Sequence, residues 1–242
     1  MSVKAIIIDD ERLARTELKK LLQDFPDIQV MDEAGNATEG IEKIETLIPD
    51  LIFLDIQMPG KTGFDLLADL EKAPHVIFTT AYDEYALKAF EVNALDYLLK
   101  PIEPKRLADA IQKLQYEISR EKAEEAGNHN RGPLTENDQV FVKDGERCWF
   151  VKLSEIRLFE SVGNYAKVFF STNKPLILKS LNALEERLDD RIFFRANRKH
   201  IINLRWIEKI EPYFNGGLLV ELKGGEKIEV SRRQTVKFKE MM

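Results

Sequence analysis

Five side chains with the chemistry of a phosphoryl-accepting pocket follow apolar, strand-like segments in the first half of the chain. They are Asp9, Asp10, Asp55, Thr80 and Lys100, and each comes at or just after the end of such a segment. The carboxyl ends of strands in an open parallel α/β sheet border one crevice, so residues far apart in sequence meet there. The spacing therefore predicts three carboxylates, a hydroxyl and an ammonium group in a single site.

Three carboxylates in one crevice need a cation, and oxygen ligands favour Mg²⁺ with several waters retained. Asp55 is the predicted nucleophile. A carboxylate attacks phosphorus only where charge on the transferring group is neutralised, which Mg²⁺ and the Lys100 ammonium group can do together. The Thr80 hydroxyl would donate to a phosphoryl oxygen. We also expect a cis peptide bond before Pro101, because cis bonds are essentially restricted to proline.

Simpler explanations exist for each of these residues taken singly. An acidic pair such as Asp10 and Glu11 before a helix is often an N-cap, and a lone Asp or Thr at a strand end is often part of a turn. Here, however, four strand ends, in the order of the sheet, carry acidic, hydroxyl and lysine side chains. This combination favours a phosphoryl-accepting pocket over separate caps and turns. Enzymes that turn over an aspartyl phosphate usually have a second acid two residues after the nucleophile, where this chain has Gln57. We therefore expect no turnover of a small substrate.

The segments that would position these side chains alternate between short apolar runs and amphipathic stretches. Five such units predict an α/β doubly wound, five-stranded parallel sheet with helices on both faces. The first helix should bury a face containing Leu13, Leu18, Leu21 and Leu22. The predicted strands lie at 3–8, 29–34, 51–54, 75–79 and 94–99, and the predicted helices at 12–24, 37–47, 62–71, 83–91 and 103–123.

Length and composition predict a two-domain globular protein. The chain has 242 residues, 44% of them hydrophobic and 32% charged, which is ordinary composition and long for one domain. No apolar run approaches the roughly 18 residues of a membrane span, and no signal pattern precedes the first strand. We therefore expect a cytoplasmic protein with no membrane partner. The single cysteine, Cys148, lies in an apolar stretch and is predicted to be a core residue.

Charge divides the chain into two unlike halves. Residues 1–130 carry 15 Lys and Arg against 26 Asp and Glu, a net −11, whereas residues 131–242 carry 21 against 16, a net +5. An acidic first half suits a divalent cation, and a basic second half suits a polyanion. Because Gly, Asn and Pro interrupt the apolar periodicity between the halves, we predict domains at 1–123 and 138–242, joined by a linker at 124–137.

The second half has the pattern of a mostly β domain. Turn signals such as Asp144-Gly145 and Gly224-Gly225 separate its short apolar runs, and helices are predicted at 181–188 and near the C-terminus. Its sequence contains no metal-ligand spacing, nucleophile elbow or phosphate loop. The predicted strands lie at 140–142, 148–153, 156–159, 166–170, 176–178, 218–222 and 228–230.

Three polar and basic groups, two of them in predicted loops or strand edges, form a candidate DNA surface. Arg, Lys and Asn side chains grip phosphates and bind base edges in the major groove, so such groups on one face could bind DNA. By composition alone, the same residues equally fit a solvated set of surface charges or a helix cap at Ser231. The groups are Asn164, Tyr165 and Lys167; Asn197, Arg198 and Lys199; and Arg232 with Arg233.

The first half resembles a known family, the CheY-like receiver domains of two-component response regulators. The resemblance implies that Asp55 takes a phosphoryl group from a sensor histidine kinase and slowly loses it again, with no other enzymatic activity. It also implies a switch in which Thr80 moves onto the phosphoryl group and Tyr97 turns inward. The implied Mg²⁺ ligands are Asp10, Asp55 and the Gln57 backbone carbonyl, with Asp9 holding water behind them. The matching segments are 8–11, 54–60, 79–81 and 96–101.

The second half resembles the LytTR DNA-binding domain through residues 159–165, 194–204 and 230–233. This resemblance implies loops that enter successive major grooves with the three groups named above, while Arg195 and Asn203 could instead hold those loops in place. Together the two halves predict a LytTR-type transcriptional response regulator. We expect phosphorylation to favour a homodimer that binds repeated half-sites in double-stranded promoter DNA. The alternative is a signalling adaptor whose basic domain binds a protein.

Overall fold

The computed structural model describes residues 2–81, 94–124, 134–145 and 147–241. The chain forms two compact units, one of residues 1–130 with 147–150 and the other of residues 131–146 with 151–242. Among the described helices, none has the length and apolar character needed to cross a membrane.

The first unit is built on a parallel sheet with the strand order β2-β1-β3-β4-β5. This order confirms the predicted doubly wound α/β fold, in which the chain starts near the centre and reverses direction after β2. The predicted helix at 83–91 lies outside the described residues. The strands are β1 (Val3–Ile8), β2 (Ile28–Ala34), β3 (Leu51–Asp55), β4 (His75–Thr80) and β5 (Asp96–Leu99), and the helices are α1 (Arg12–Leu22), α2 (Ala37–Leu47), α3 (Gly63–Asp69) and α4 (Pro104–Glu124).

Helices α1 and α4 contribute to the same apolar core on one face of this sheet. Leu18 and Leu22 of α1 and Leu107 and Leu114 of α4 are all buried in it. The prediction for Leu13 was wrong, because its side chain is 78% exposed. Five residues separate Leu13 from Leu18, which places the two side chains about 140° apart around the helix.

From Gln139 onward the chain forms a five-stranded antiparallel sheet, a three-stranded sheet and a two-stranded hairpin. The strand order of the largest sheet is β10-β9-β8-β12-β11, and the three-stranded sheet has the order β13-β14-β15. The strands are β6 (Gln139–Asp144), β7 (Arg147–Lys152), β8 (Ile156–Val162), β9 (Tyr165–Phe170), β10 (Leu176–Ile177), β11 (Phe193–Asn197), β12 (His200–Asn203), β13 (Ile207–Pro212), β14 (Leu218–Leu222) and β15 (Lys227–Val230), and the helices are α5 (Leu181–Glu185) and α6 (Arg232–Met241).

The mostly β prediction is confirmed, with two local corrections. Strands β11, β12 and β13 were not predicted, whereas Lys167 lies within β9, inside the strand predicted at 166–170. Arg232 and Arg233 open α6. A helix forms here because Thr235 and Phe238, three residues apart, both enter the core, where the Phe238 ring packs 5.1 Å from that of Phe194. Cys148 is buried, as predicted.

Candidate functional site

Three acidic side chains and one lysine meet at the carboxyl ends of β1, β3 and β5. Carboxylate oxygens of Asp9, Asp10 and Asp55 lie within 4.8 Å of one another. Lys100 donates from Nζ to Asp9 Oδ2 at 2.7 Å and to Asp55 Oδ2 at 3.2 Å. The structure therefore brings together residues that are up to 91 positions apart in sequence, as the strand-end argument predicted.

Burial shapes the electrostatics of this acidic site. Loss of solvent raises the pKa of the Asp55 carboxyl above its ordinary value, and Asp9 adds to the rise while Lys100 opposes it. Burial on its own would lower the pKa of the Lys100 ammonium group, but its bonds to Asp9 and Asp55 outweigh that effect and raise the pKa. The lysine therefore stays charged beside the two carboxylates. A further cation would offset the remaining negative charge.

Asp9 is held by contacts on both its side chain and its main chain. Its Oδ1 accepts a hydrogen bond from Glu11 N at 2.9 Å, and its carbonyl accepts one from an Arg15 guanidinium nitrogen at 2.6 Å. Arg15 also faces Glu33, at 3.6 Å, which pairs with Lys19 at 2.6 Å. Sequence reasoning missed Arg15. The available signal was an arginine in the first turn after the acidic pair, on the helix that the pair precedes.

Neither side chain of the acidic pair Asp10 and Glu11 caps helix α1. Glu11 is the N-cap residue of α1, but its side chain makes no capping hydrogen bond. Asp10 lies one position earlier, with an exposed side chain in the carboxylate cluster. The pair therefore leaves the first-turn amides of α1 uncapped by a side chain and presents a carboxylate to the site.

Of the remaining predicted residues, Gln57 contacts Asp55, and Thr80 and Tyr97 lie on the strands β4 and β5. Gln57 N donates to Asp55 Oδ1 at 3.3 Å. Thr80 ends β4 and is fully buried, and its carbonyl accepts a hydrogen bond from Lys100 N at 2.7 Å. Tyr97 lies in β5 and is partly buried. The peptide bond between Lys100 and Pro101 is cis, as expected from the sequence.

Three carboxylates so close together offer oxygen ligands to a hard cation. Mg²⁺ is commonly bound by one or two carboxylates and several waters, and exposed Asp10 leaves one side of the cluster open to water. The donor set therefore fits a divalent cation of this kind. No thiolate or imidazole is among these ligands, so the site does not have the donors that select softer metals.

The three polar and basic groups of the second unit lie at one end of its sheets, linked by main-chain hydrogen bonds. Lys199 O accepts from Ser161 N at 2.8 Å, which joins the β11–β12 turn to the strand before the β8–β9 turn. Ala196 O accepts from Ser231 N at 3.0 Å, which joins the same region to the start of α6. We call the exposed members of these groups the basic edge; they are Asn164, Arg198, Lys199, Arg232 and Arg233.

Four cations of the basic edge face solvent without a partner among the described residues: Arg198, Lys199, Arg232 and Arg233. Tyr165 is also exposed. Lys167 instead pairs with Glu160 at 3.3 Å. Unpaired surface cations need no protein contact to be broken before they meet an anion.

Other polar residues near the basic edge hold the chain in place. Asn197 donates from Nδ2 to Glu229 O at 2.7 Å, and its Oδ1 accepts from Lys199 N at 2.8 Å. Arg195 donates to the carbonyls of Asn197 and Arg198, at 2.7 and 2.9 Å. Buried Asn203 donates to Ile156 O at 2.9 Å. Arg195 and Asn203 thus have the loop-holding contacts that the sequence left open.

Comparison with known proteins identifies the family. Residues 5–112 match the response regulator receiver domain model, and residues 146–242 match the LytTr DNA-binding domain model. The chain is 36% identical over 240 residues to the sensory transduction protein LytT of Enterococcus faecalis, covering 98% of each chain. The chain belongs to the LytTR family of response regulators.

Two further proteins align with this chain over 98% of their own length. The response regulator is 35% identical over 245 residues to the transcriptional regulatory protein BtsR of Salmonella typhimurium, covering 98% of each chain. The response regulatory domain of the protein mrkE from Klebsiella pneumoniae, a solved structure, is 32% identical, with a TM-score of 0.44 over 48% of this chain and 98% of that one.

Family membership settles the broad function. The response regulator combines a receiver domain with a DNA-binding domain and regulates transcription in two-component signalling. It is a signalling protein rather than a conventional enzyme. The adaptor alternative is not favoured, because the basic second half matches a DNA-binding domain.

Proposed function

We propose that Asp55 accepts a phosphoryl group from a sensor histidine kinase and that this phosphorylation controls DNA binding by the second domain. The convergence of Asp9, Asp10, Asp55 and Lys100 carries the proposal. An Asp55 oxygen attacks the phosphorus of a phosphohistidine, an O–P bond forms and the N–P bond breaks. Lys100, already 3.2 Å from Asp55, neutralises charge on the transferring group.

Mg²⁺ would lie against Asp10, Asp55 and the Gln57 carbonyl. When bound, the ion supplies positive charge to the phosphoryl oxygens. Asp9 is better placed behind the ion, holding water, because its carboxylate oxygens accept shorter bonds, 2.7 Å from Lys100 Nζ and 2.9 Å from Glu11 N, than the 3.2 and 3.3 Å bonds to Asp55. That arrangement supports Asp10 and Asp55 as the direct carboxylate ligands.

The switch we propose uses Thr80 and Tyr97. Thr80 is the residue of β4 that follows Thr79, and Thr79 pairs with Asp55 of β3. A small movement of Thr80 therefore brings its hydroxyl to a phosphoryl oxygen on Asp55. Tyr97 lies in the neighbouring strand and turns inward as Thr80 moves. The phosphoryl group is lost slowly to water, and exposed Gln57 sets the rate because it stands at the open side of Asp55.

The basic edge is the proposed DNA interface, with phosphorylation acting through a homodimer. Exposed Arg198, Lys199, Arg232 and Arg233 bind phosphates, and Asn164, Tyr165, Lys167 and Asn197 complete the interface or shape it. Two protomers on repeated half-sites raise the effective concentration of each DNA-binding domain. We propose domain limits at 1–123 and 138–242, joined by a linker at 124–137. This linker limits how directly a conformational change in one domain is transmitted to the other.

The test measures binding of the full-length protein to a duplex selected from a random DNA pool. Beryllofluoride with Mg²⁺ should tighten binding and shift the protein to a dimer in sedimentation, and Asp55→Asn should show neither change. Asp69→Asn, at an exposed acid that pairs with Lys61, is the matched control and should behave as wild type. An activated Asp55→Asn protein would refute Asp55 as the acceptor. Tight binding by a monomer would refute control through dimerisation.

A further inference from the structure

An exposed aromatic turn lies between β13 and β14. Phe214 is 77% exposed, and the ring of Tyr213 packs edge-on against it with centroids 4.9 Å apart. Hydrogen bonds from Tyr213 N to Gly217 O, at 2.9 Å, and from Gly217 N to Phe214 O, at 3.1 Å, close the turn. We call residues 213–217 the aromatic turn. Its Phe214 ring is thus presented to solvent on a fixed main chain.

The aromatic turn lies next to the basic edge. Leu218, which follows the turn, pairs with Val230 in β15, directly before Ser231 and the start of α6. An added Cβ atom on Gly217 would meet Val230 O at 3.0 Å, so the turn fits closely against the end of that strand. Helix α6 also contacts the turn. Phe214 therefore lies at the same end of the domain as Arg232 and Arg233.

A large exposed aromatic ring beside unpaired cations fits a partner that is both anionic and partly apolar. Duplex DNA is such a partner, because deoxyribose and the thymine methyl group lie within reach of its phosphates. A second copy of this chain fits less well. A symmetric contact through Phe214 would bring the cations of Arg232 and Arg233 near those of the other copy.

We propose that Phe214 contacts the apolar surface of duplex DNA next to the phosphates held by Arg232 and Arg233. This inference rests on the proposed DNA interface and extends it by a contact made without charge. The ring gains from leaving water, whereas the arginines gain from releasing counterions. The two contributions therefore respond differently to salt.

The experiment measures the affinity of the activated full-length protein for its selected duplex over a range of salt concentrations. Phe214→Ala should bind roughly tenfold more weakly, as expected for losing one buried aromatic contact. The slope of log affinity against log salt should stay that of wild type. Phe214→Leu should recover most of the affinity. Tyr116→Ala removes an aromatic ring that is 67% exposed in the first unit and should have no effect.

Arg233→Gln separates this inference from the proposed function. It should flatten the salt slope by about 0.9, the value for one phosphate contact. If Arg233→Gln does so while Phe214→Ala binds as wild type does, the Phe214 contact is refuted and the DNA interface stands. If neither variant changes binding, the proposed interface is wrong as well. Weaker DNA binding by Phe214→Ala together with loss of the dimer in sedimentation would assign the ring to a second copy and overturn the DNA contact.

Discussion

The four exposed cations of the basic edge predict how strongly the affinity for DNA should depend on salt concentration. Arg198, Lys199, Arg232 and Arg233 each have an exposed side chain with no partner among the described residues. If each meets one phosphate, log affinity should fall with log salt at a slope of about −3.6 per protomer. Binding by one protomer should then weaken by roughly 150-fold between about 50 and 200 mM salt.

Replacing one cation should change that slope by a fixed amount. Arg198→Gln leaves three phosphate contacts, a slope of about −2.7 and a loss of roughly 40-fold over the same range. Lys209→Gln is the matched control, since Lys209 is exposed in the same domain but pairs with Glu211 at 2.6 Å. Its slope should equal that of wild type.

Fluorescence anisotropy of a labelled half-site duplex, titrated at several salt concentrations, gives these slopes directly. One half-site keeps the measurement to a single protomer. A wild-type slope shallower than about −2 would contradict the assignment, because it corresponds to two phosphate contacts rather than four. A slope equally altered by Arg198→Gln and Lys209→Gln would also contradict it, since the control lysine should not touch DNA.

Two further predictions concern the acidic site. Arg15→Gln removes the hydrogen bond to the Asp9 carbonyl and should weaken Mg²⁺ binding about tenfold in calorimetric titration; Lys19→Gln, which contacts Glu33 but not Asp9, should not. Gly63→Ala puts a Cβ atom into the Asp55 carbonyl and 3.2 Å from Ile56 Cα, so urea unfolding should show a loss of about 2 kcal/mol. Gly35→Ala, whose Cβ would have no neighbour closer than 3.7 Å, should cost under about 0.5 kcal/mol, and equal losses would refute the overlap.

The acidic site could be predicted because its residues lie at strand ends, and the local sequence pattern identifies those strands. Short, uninterrupted apolar runs between turn signals, such as Leu51–Asp55, are typical of buried strands. In a parallel sheet the carboxyl ends of these strands lie at the same edge, which determines which polar residues meet. Arg15 could not be found in this way. Its role depends on reaching the Asp9 carbonyl, just after β1, and Glu33 in β2.

The basic edge was harder to predict because its geometry comes from pairing across long sequence distances. Phe193–Asn197 ends in polar residues and carries no clear alternation, yet it forms β11 by pairing with the adjacent β12. Strand β12 in turn pairs with β8, which lies much earlier in the chain, and such tertiary pairing overrides local propensity in strands. Arg232 and Arg233 joined a helix for a similar reason, since Phe238 fills a space in a core formed by distant strands.

In the basic edge, main-chain hydrogen bonds position the turns and exposed side chains provide the positive charge. Hydrogen bonds of Ser161, Lys199, Ser231 and Ala196 main-chain atoms set the spacing of its turns, and any residue except proline could supply those amides. The exposed side chains of Arg198, Lys199, Arg232 and Arg233 have no part in that frame. If these side chains contact DNA as proposed, single substitutions among them can change the preferred operator while each variant remains folded and the spacing between the turns stays constant.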